Sequence, residues 1–207
     1  NLMKKTNISF PCDKFIMRIE EGIDPNNSIQ LTEHFTSLKE SNSPKISFNP
    51  NGNYTGMFDK FDLDHMPTAV LWSVVNMAVE EYVQNNRFLM QGIDPWKVCD
   101  IWHLQEYEPG DHYKREHCEH GKDFYDNKRI LAWMVYLNNC DGGTRWPTQQ
   151  YTSEPQIGDV YIWPASWTHS HFGIPSTQKK WIATGWCIFK DPEDEKKMEE
   201  TVLNKSN

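Results

Sequence analysis

No apolar run in this chain of 207 residues is long enough to cross a bilayer. The most apolar stretch, Ala69–Val79, is broken by Ser73 and Asn76 and falls well short of the roughly 20 residues that a spanning helix needs. Basic clusters are missing as well. Lys and Arg total 21 against 29 Asp and Glu, a formal charge of −8, which argues against broad attraction to nucleic acid. There is no Cys-x-x-Cys pair. Cys12, Cys99, Cys118, Cys140 and Cys187 are scattered and odd in number, a pattern of reduced thiols rather than of a disulfide framework or a zinc ribbon. Asn1 to Phe10 carries lysines but no following apolar stretch of signal-peptide length. Internal repeats and low-complexity segments are absent too. These absences lead to the expectation of a soluble cytoplasmic protein with neither membrane nor nucleic acid as partner. Nothing bears on oligomeric state.

Aromatic residues, in contrast, are plentiful: 9 Trp, 8 Tyr and 10 Phe. Such side chains bury large areas and favour a stiff β framework. The length suits one domain with a full core. Within it, residues 1–97 read as an N-terminal supporting region, 98–190 as a β-rich core and 191–207 as a charged tail that forms a short surface helix or frays. Ser41–Tyr54 is crowded with Ser, Asn, Pro and Gly and reads as loop. Apolar residues at Val70, Leu71, Val74, Val75, Met77, Ala78 and Tyr82 predict a helix near 66–86, opened by Pro67 and packed on a sheet. From Val98 short β-type runs follow: Val98–Tyr107, Tyr113–Glu119, Arg129–Asn138, Asp159–Trp163, His169–Gly173 and Trp181–Phe189. Turn sequences such as Pro109–Gly110 and Asp141–Gly142–Gly143 separate them. Evenly spaced strands without intervening helices suggest a barrel or jelly roll.

His117-Cys118-Glu119 is the first piece with chemistry. Residues two apart on a strand share a face, so His117 and Glu119 can reach one metal while Cys118 points away. One more histidine completes the 2-His-1-carboxylate set, which leaves open positions on a six-coordinate Fe(II). The second piece is Trp163-Pro-Ala-Ser-Trp-Thr-His169-Ser-His171-Phe-Gly-Ile-Pro175. Its two histidines also lie two apart, so alternation does not choose between them. Lys180, nine residues after His171, opens an aromatic strand whose Lys180, Ile182, Thr184 and Trp186 share a face. Cation, hydroxyl and indole beside a metal make a pocket for an acid. The plain alternatives are surface residues at His117 and Glu119, half-buried core histidines, and a solvated lysine at a strand start.

Taken in order, these landmarks resemble the Fe(II)/2-oxoglutarate-dependent dioxygenases, in their prolyl-4-hydroxylase-like branch. Tyr107-Glu-Pro-Gly110 resembles a Tyr-x-x-Gly lead-in, and Arg129 through Tyr136-Leu137-Asn138 an Arg…Tyr-Leu-Asn strand. Gly142-Gly143-Thr144 and Pro155-x-x-Gly158-Asp159 resemble two of the family's turns. His171-x-x-x-Pro175 followed by Lys180 and Trp186 resembles the closing motif. The match runs over roughly 98–190. It implies a double-stranded β-helix (jelly roll, cupin-like), with His117, Glu119 and His171 as iron ligands. Lys180 would pair with the distal carboxylate of 2-oxoglutarate, Tyr136, Tyr107 and Thr184 would be hydroxyl partners, and Trp186 a wall. The family's spacing to proline and to the basic residue favours His171, leaving His169 a place beside the ligands or on the substrate side. His120 and Asp123 stand near as alternative ligands, although His120 falls on the other strand face from His117. One departure stands out: the family usually has His-x-Asp where this chain has His-x-Glu, whose retained carboxylate disfavours halogenation.

The resemblance implies hydroxylation of an unactivated C–H bond using Fe(II), 2-oxoglutarate and O2, with ascorbate as a further candidate and succinate and CO2 released. A prolyl residue in a peptide or protein is the first substrate class. Trp146, Tyr151 and Trp167 are candidates to line its groove. A free amino acid or small metabolite is the second class. A non-catalytic jelly roll that only binds metal or ligand is the competing reading, and it leaves the pocket for an acid unexplained. Nucleic-acid demethylation ranks third because of the net acidity.

Overall fold

A computed structural model describes residues 8–12, 14–50, 52–111, 115–120 and 126–191. In chain order its elements are β1 (Ile8–Ser9), β2 (Met17–Ile19), α1 (Pro25–Glu40), β3 (Ile46–Asn49), β4 (Asn53–Phe58), α2 (Met66–Asn85) and α3 (Phe88–Gln91). There follow β5 (Trp96–Tyr107), β6 (Arg129–Tyr136), β7 (Thr144–Trp146), β8 (Tyr151–Thr152), β9 (Val160–Pro164), β10 (Phe172–Gly173) and β11 (Lys180–Phe189). Eight strands form one sheet in the order β1-β2-β9-β6-β11-β5-β4-β3, and three form a second in the order β10-β7-β8. Every pairing is antiparallel.

Alternation along the central strands sorts the side chains into two cores. Leu131, Trp133 and Val135 of β6, Trp181, Ala183 and Cys187 of β11, and Val160 and Ile162 of β9 face the helices. There they meet Leu31 and Phe35 of α1 and Leu71, Val74, Val75, Ala78 and Tyr82 of α2, all buried. The intervening residues Ala132, Met134, Tyr136, Tyr161, Trp163, Ile182 and Trp186 face the other way and pack with Trp146 of β7. The small sheet thus covers one end of the large one, as in a double-stranded β-helix, and the uncovered end is the cleft described below.

The helix expected near 66–86 forms with Pro67 in its first turn. The N-terminal region holds more structure than its composition suggests. Asp24 caps α1 by accepting from the Asn26 N–H at 2.8 Å, with Pro25 opening the helix. Its buried stripe is Asn27, Ser28, Leu31 and Phe35, half of it polar, so hydrophobic periodicity gives little signal there. The Asn27 amide donates to the Pro67 carbonyl at 3.1 Å and ties α1 to the start of α2. Ser41–Tyr54, read as loop, instead contains β3 and the start of β4. Tertiary pairing onto β5 overrides the turn-rich composition, with Thr55 opposite Gln105 and Met57 opposite His103. Among the described residues of the expected strand Tyr113–Glu119, His117 alone makes a bridge, to His171. The charged tail beyond Asp191 lies outside the described residues.

Candidate metal and cosubstrate site

Two backbone hydrogen bonds pair His117 with His171: His117 N–H to the His171 carbonyl at 3.0 Å and the reverse at 2.8 Å. Glu119 N–H donates to the Ala165 carbonyl at 3.0 Å. These bonds set three side chains together. The Nε2 atoms of His117 and His171 lie 3.4 and 3.5 Å from the same Glu119 oxygen, Oε1, with the two rings 4.4 Å apart between centroids. Ligand atoms of all three lie within 4.8 Å of one another. Adjacent ligands at right angles, each about 2.1 Å from a shared ion, would be about 3 Å apart. The observed separations are close to that.

The opposite nitrogens explain why a cation belongs here. His117 Nδ1 faces the Arg115 carbonyl at 3.1 Å, and His171 Nδ1 the His169 carbonyl at 3.0 Å. A carbonyl only accepts, so each Nδ1 carries the proton and each Nε2 presents a lone pair. Two lone pairs then converge on a carboxylate oxygen, an arrangement that only a positive charge reconciles. Burial pushes the Glu119 carboxyl upward, and it is held well below the usual carboxylate range when the imidazoles facing it carry positive charge; a bound cation supplies the same charge to neutral rings. The residues present therefore fit a divalent metal of the kind held by two imidazoles and one carboxylate.

The two candidate histidines separate cleanly. A 3₁₀ turn, Trp167–His169, replaces the expected strand start, so residues 169 and 171 do not share a face. His169 is buried, with Nε2 toward the Lys14 carbonyl at 2.8 Å and Nδ1 toward Thr168 Oγ1 at 2.9 Å. Desolvation lowers its pKa. His120 turns its Nε2 to the Arg129 carbonyl, away from the cluster. Asp123 lies outside the described residues.

A cleft of about 850 Å³ opens beside the three ligand candidates, and Lys180 lies in its wall. Lys180 is 5 % exposed, and among the described residues no carboxylate pairs with it. Its one hydrogen bond is to the Gly143 carbonyl at 3.2 Å. The ammonium sits 5.6 Å from the Tyr136 ring and 5.9 Å from that of Tyr107. Burial pulls its pKa down to about 8. A buried cation that no described residue neutralises, opening on a cleft, is a site for an anion.

The other expected contacts are arranged less simply. Tyr107 and Thr184 line the cleft. Tyr107 donates its hydroxyl to Gln105 Oε1 at 2.7 Å, and Thr184 donates to the Trp133 carbonyl at 3.1 Å. Tyr136 does not line the cleft. It is fully buried behind Lys180, with its hydroxyl 2.7 Å from Ser153 Oγ and 3.0 Å from Thr144 Oγ1. Trp186 lines the cleft, and its indole N–H donates to Glu119 Oε2 at 2.7 Å. Of the three aromatics expected to form a groove, Trp146 is fully buried under Tyr151, Tyr161 and Trp163. Trp167 is 78 % exposed. Neither Trp146 nor Tyr151 nor Trp167 lines the cleft.

Sequence reasoning gave no site role to His103 and Gln105 of β5, to Arg129, or to Asn49, Thr55 and Met57 from β3 and β4, all of which line the cleft. Alternation back from Tyr107 puts 105 and 103 on its face, so that signal was available for β5. Burial and then the Arg129 charge lower the pKa of His103, whose ring meets Trp186 edge-on at 5.2 Å.

Comparison with known proteins agrees with this geometry. The family model of the 2OG-Fe(II) oxygenase superfamily matches residues 102–188, a span that holds the histidine pair, Glu119 and Lys180. Residues 102–188 thus carry the pattern of that superfamily. The family that this model describes implies Fe(II), 2-oxoglutarate and O2 as reagents. No curated protein matches it by sequence. Among solved structures, the viral collagen prolyl hydroxylase of Paramecium Bursaria Chlorella virus-1, in a 2OG complex, aligns with a TM-score of 0.65 at 19% identity, over 88% of this chain and 100% of that one. A Pseudomonas putida prolyl-4-hydroxylase aligns at 0.64 and 14% identity, over 86% and 95%. A Trichoplax adhaerens prolyl hydroxylase in complex with a hypoxia inducible factor peptide fragment aligns at 0.61 and 14%, over 85% and 84%. At these identities the likeness establishes the fold, the jelly roll of the 2OG oxygenases.

Proposed function

We propose that this protein hydroxylates a prolyl residue in a peptide or protein, with iron held by His117, Glu119 and His171 and 2-oxoglutarate held by Lys180. The observation that carries the reading is Lys180, buried with no counter-ion among the described residues, in the wall of the same cleft as the converged imidazole and carboxylate lone pairs. A structural metal site has no use for a desolvated cation beside it. A cosubstrate with a carboxylate at each end uses both. The prolyl assignment is supported by the prolyl hydroxylase folds above, one of them bound to a peptide.

Bound iron would supply the oxidative chemistry, coupling decarboxylation of 2-oxoglutarate by O2 to insertion of one oxygen atom into a C–H bond. The chain's own residues do the rest. Lys180 keeps two N–H donors beyond the one given to Gly143, enough for both oxygens of a carboxylate. The carbonyl contacts at both Nδ1 atoms fix the tautomer and aim Nε2 inward. Met134 and Ile182 of the cleft wall exclude water around the acid chain. No side chain is needed as general base.

The test is turnover. Protein purified without oxygen is given Fe(II), 2-oxoglutarate, ascorbate and a library of proline-containing peptides, then exposed to air. Succinate above a His171→Ala control, with a one-oxygen mass gain on a peptide, is expected. Mass gain only on free amino acids would move the substrate class to small metabolites. No succinate from fully metallated protein with any substrate, together with no effect of 2-oxoglutarate on melting, would leave a binding module.

A further inference from the structure

We infer that Trp186 is a positioning residue that, capped by Arg129, holds Glu119 in one-oxygen ligation of the metal. Glu119 divides its two oxygens between two tasks. Oε1 alone faces both imidazole Nε2 atoms, at 3.4 and 3.5 Å. Oε2 accepts from the Trp186 indole N–H at 2.7 Å and lies 3.5 Å from Arg129 Nη1. The indole is itself fixed: the Arg129 guanidinium stacks 3.7 Å above its ring, and Asp126 holds the guanidinium from behind at 2.9 Å. An indole N–H donates and never accepts, so it restrains the carboxylate without exchanging protons with it.

The consequence concerns coordination number. A carboxylate on a flexible glutamate can chelate with both oxygens, which would take a fourth position on a six-coordinate ion. A two-pronged acid and O2 need three. Trp186 occupies the oxygen that would chelate. The arrangement also depends on glutamate. Glu119 backbone is pinned on both sides, its N–H by the Ala165 carbonyl at 3.0 Å and its carbonyl by Arg129 Nη1 at 3.3 Å. A side chain shorter by one carbon–carbon bond, about 1.5 Å, cannot keep Oε1 between the imidazoles and still reach the indole. The length of the glutamate at 119 is thus matched to Trp186.

This inference rests on the proposed iron site, and the experiment separates the two. Mn(II) affinity is measured by calorimetry on the full chain for wild type, E119D, W186F and the double variant, with H171A alongside. If His117, Glu119 and His171 hold the metal, H171A abolishes binding. If Trp186 braces Glu119, W186F weakens Mn(II) binding by tenfold to a hundredfold, in line with partners that orient metal ligands. In the E119D background the same change then has no further effect. Equal weakening in both backgrounds, or none in wild type, would overturn the brace while leaving the iron site standing. R129M repeats the cycle at a more exposed side chain, should W186F not fold: it removes the stacked cap and the second donor. Weakening in wild type but not in E119D is again expected, and its absence again refutes the inference.

Discussion

Replacing Lys180 with methionine should stabilise the free protein and cripple its binding of 2-oxoglutarate, two effects of opposite sign from one substitution. A lysine pKa drawn from 10.5 down to about 8 by burial corresponds to a penalty on the charged form of roughly 3 kcal/mol. The penalty is fully present below pH 8, where the lysine is protonated in both folded and unfolded chains, and fades as pH rises toward 10.5. Methionine keeps the aliphatic packing and removes the charge. The hydrogen bond lost is cheap, because the Gly143 carbonyl still accepts from Ile174 N–H at 2.9 Å. A net gain on the order of 2 kcal/mol at pH 7, seen as about 5 °C in the melting temperature, follows for a domain of this size. Binding moves the other way. Deleting one partner of a buried charge pair costs about 2–5 kcal/mol, so the Kd for 2-oxoglutarate should rise at least about thirtyfold. Circular dichroism melts without cosubstrate and calorimetric titration of the Mn(II) protein under argon read the two effects. A variant that melts lower than wild type and binds 2-oxoglutarate within threefold of it would refute the reasoning, since Lys180 would then be a structural residue.

Wild-type affinity for 2-oxoglutarate should be flat below about pH 7, fall about twofold by pH 8 and weaken roughly a further fivefold between pH 8 and 9, because binding needs the Lys180 proton that the free site loses near pH 8; titration across that range shows it. Tyr136→Phe should cost about 1–2 kcal/mol in denaturant stability, through the Ser153 and Thr144 bonds, with 2-oxoglutarate affinity changed less than threefold in the Mn(II) protein. His169→Ala should lose about 1–3 kcal/mol through the orphaned Lys14 carbonyl while Mn(II) still binds, whereas His171→Ala loses the metal. Gly158 has φ of +90°, and a Cβ there would stand 2.3 Å from the Ile23 carbonyl oxygen; Gly158→Ala should therefore destabilise by more than about 1 kcal/mol in urea unfolding.

The residues that sequence reasoning grouped are those whose spacing is read by the backbone itself. Thr184 and Trp186 share a face with Ile182 because β11 keeps an unbroken register with β6 from Ile182 to Cys187, and Lys180 continues the same alternation, so period two suffices to say so. His117 and Glu119 meet for a different reason than strand alternation. Only His117 makes a bridge, and Glu119 is aimed by a separate bond to Ala165. The pairing thus emerged from a local geometry that the chain does not fully adopt. His169 shows the converse: alternation tied it with His171, and a 3₁₀ turn of one residue-phase separates them. The N-terminal wall of the cleft was hidden because β3 and β4 lack strand composition and exist by pairing onto β5. What periodicity had no access to is how hydrogen bonds are apportioned. Thr184, Tyr107 and Tyr136 were expected to offer hydroxyls to an acid, and each hydroxyl is engaged by a neighbour that only the folded register supplies, Trp133, Gln105 and the Thr144–Ser153 pair. The departure from His-x-Asp belongs to the same class. The extra methylene gains its meaning from the indole 67 residues away, which takes the second oxygen: the length of Glu119 is the reason both oxygens are satisfied at once.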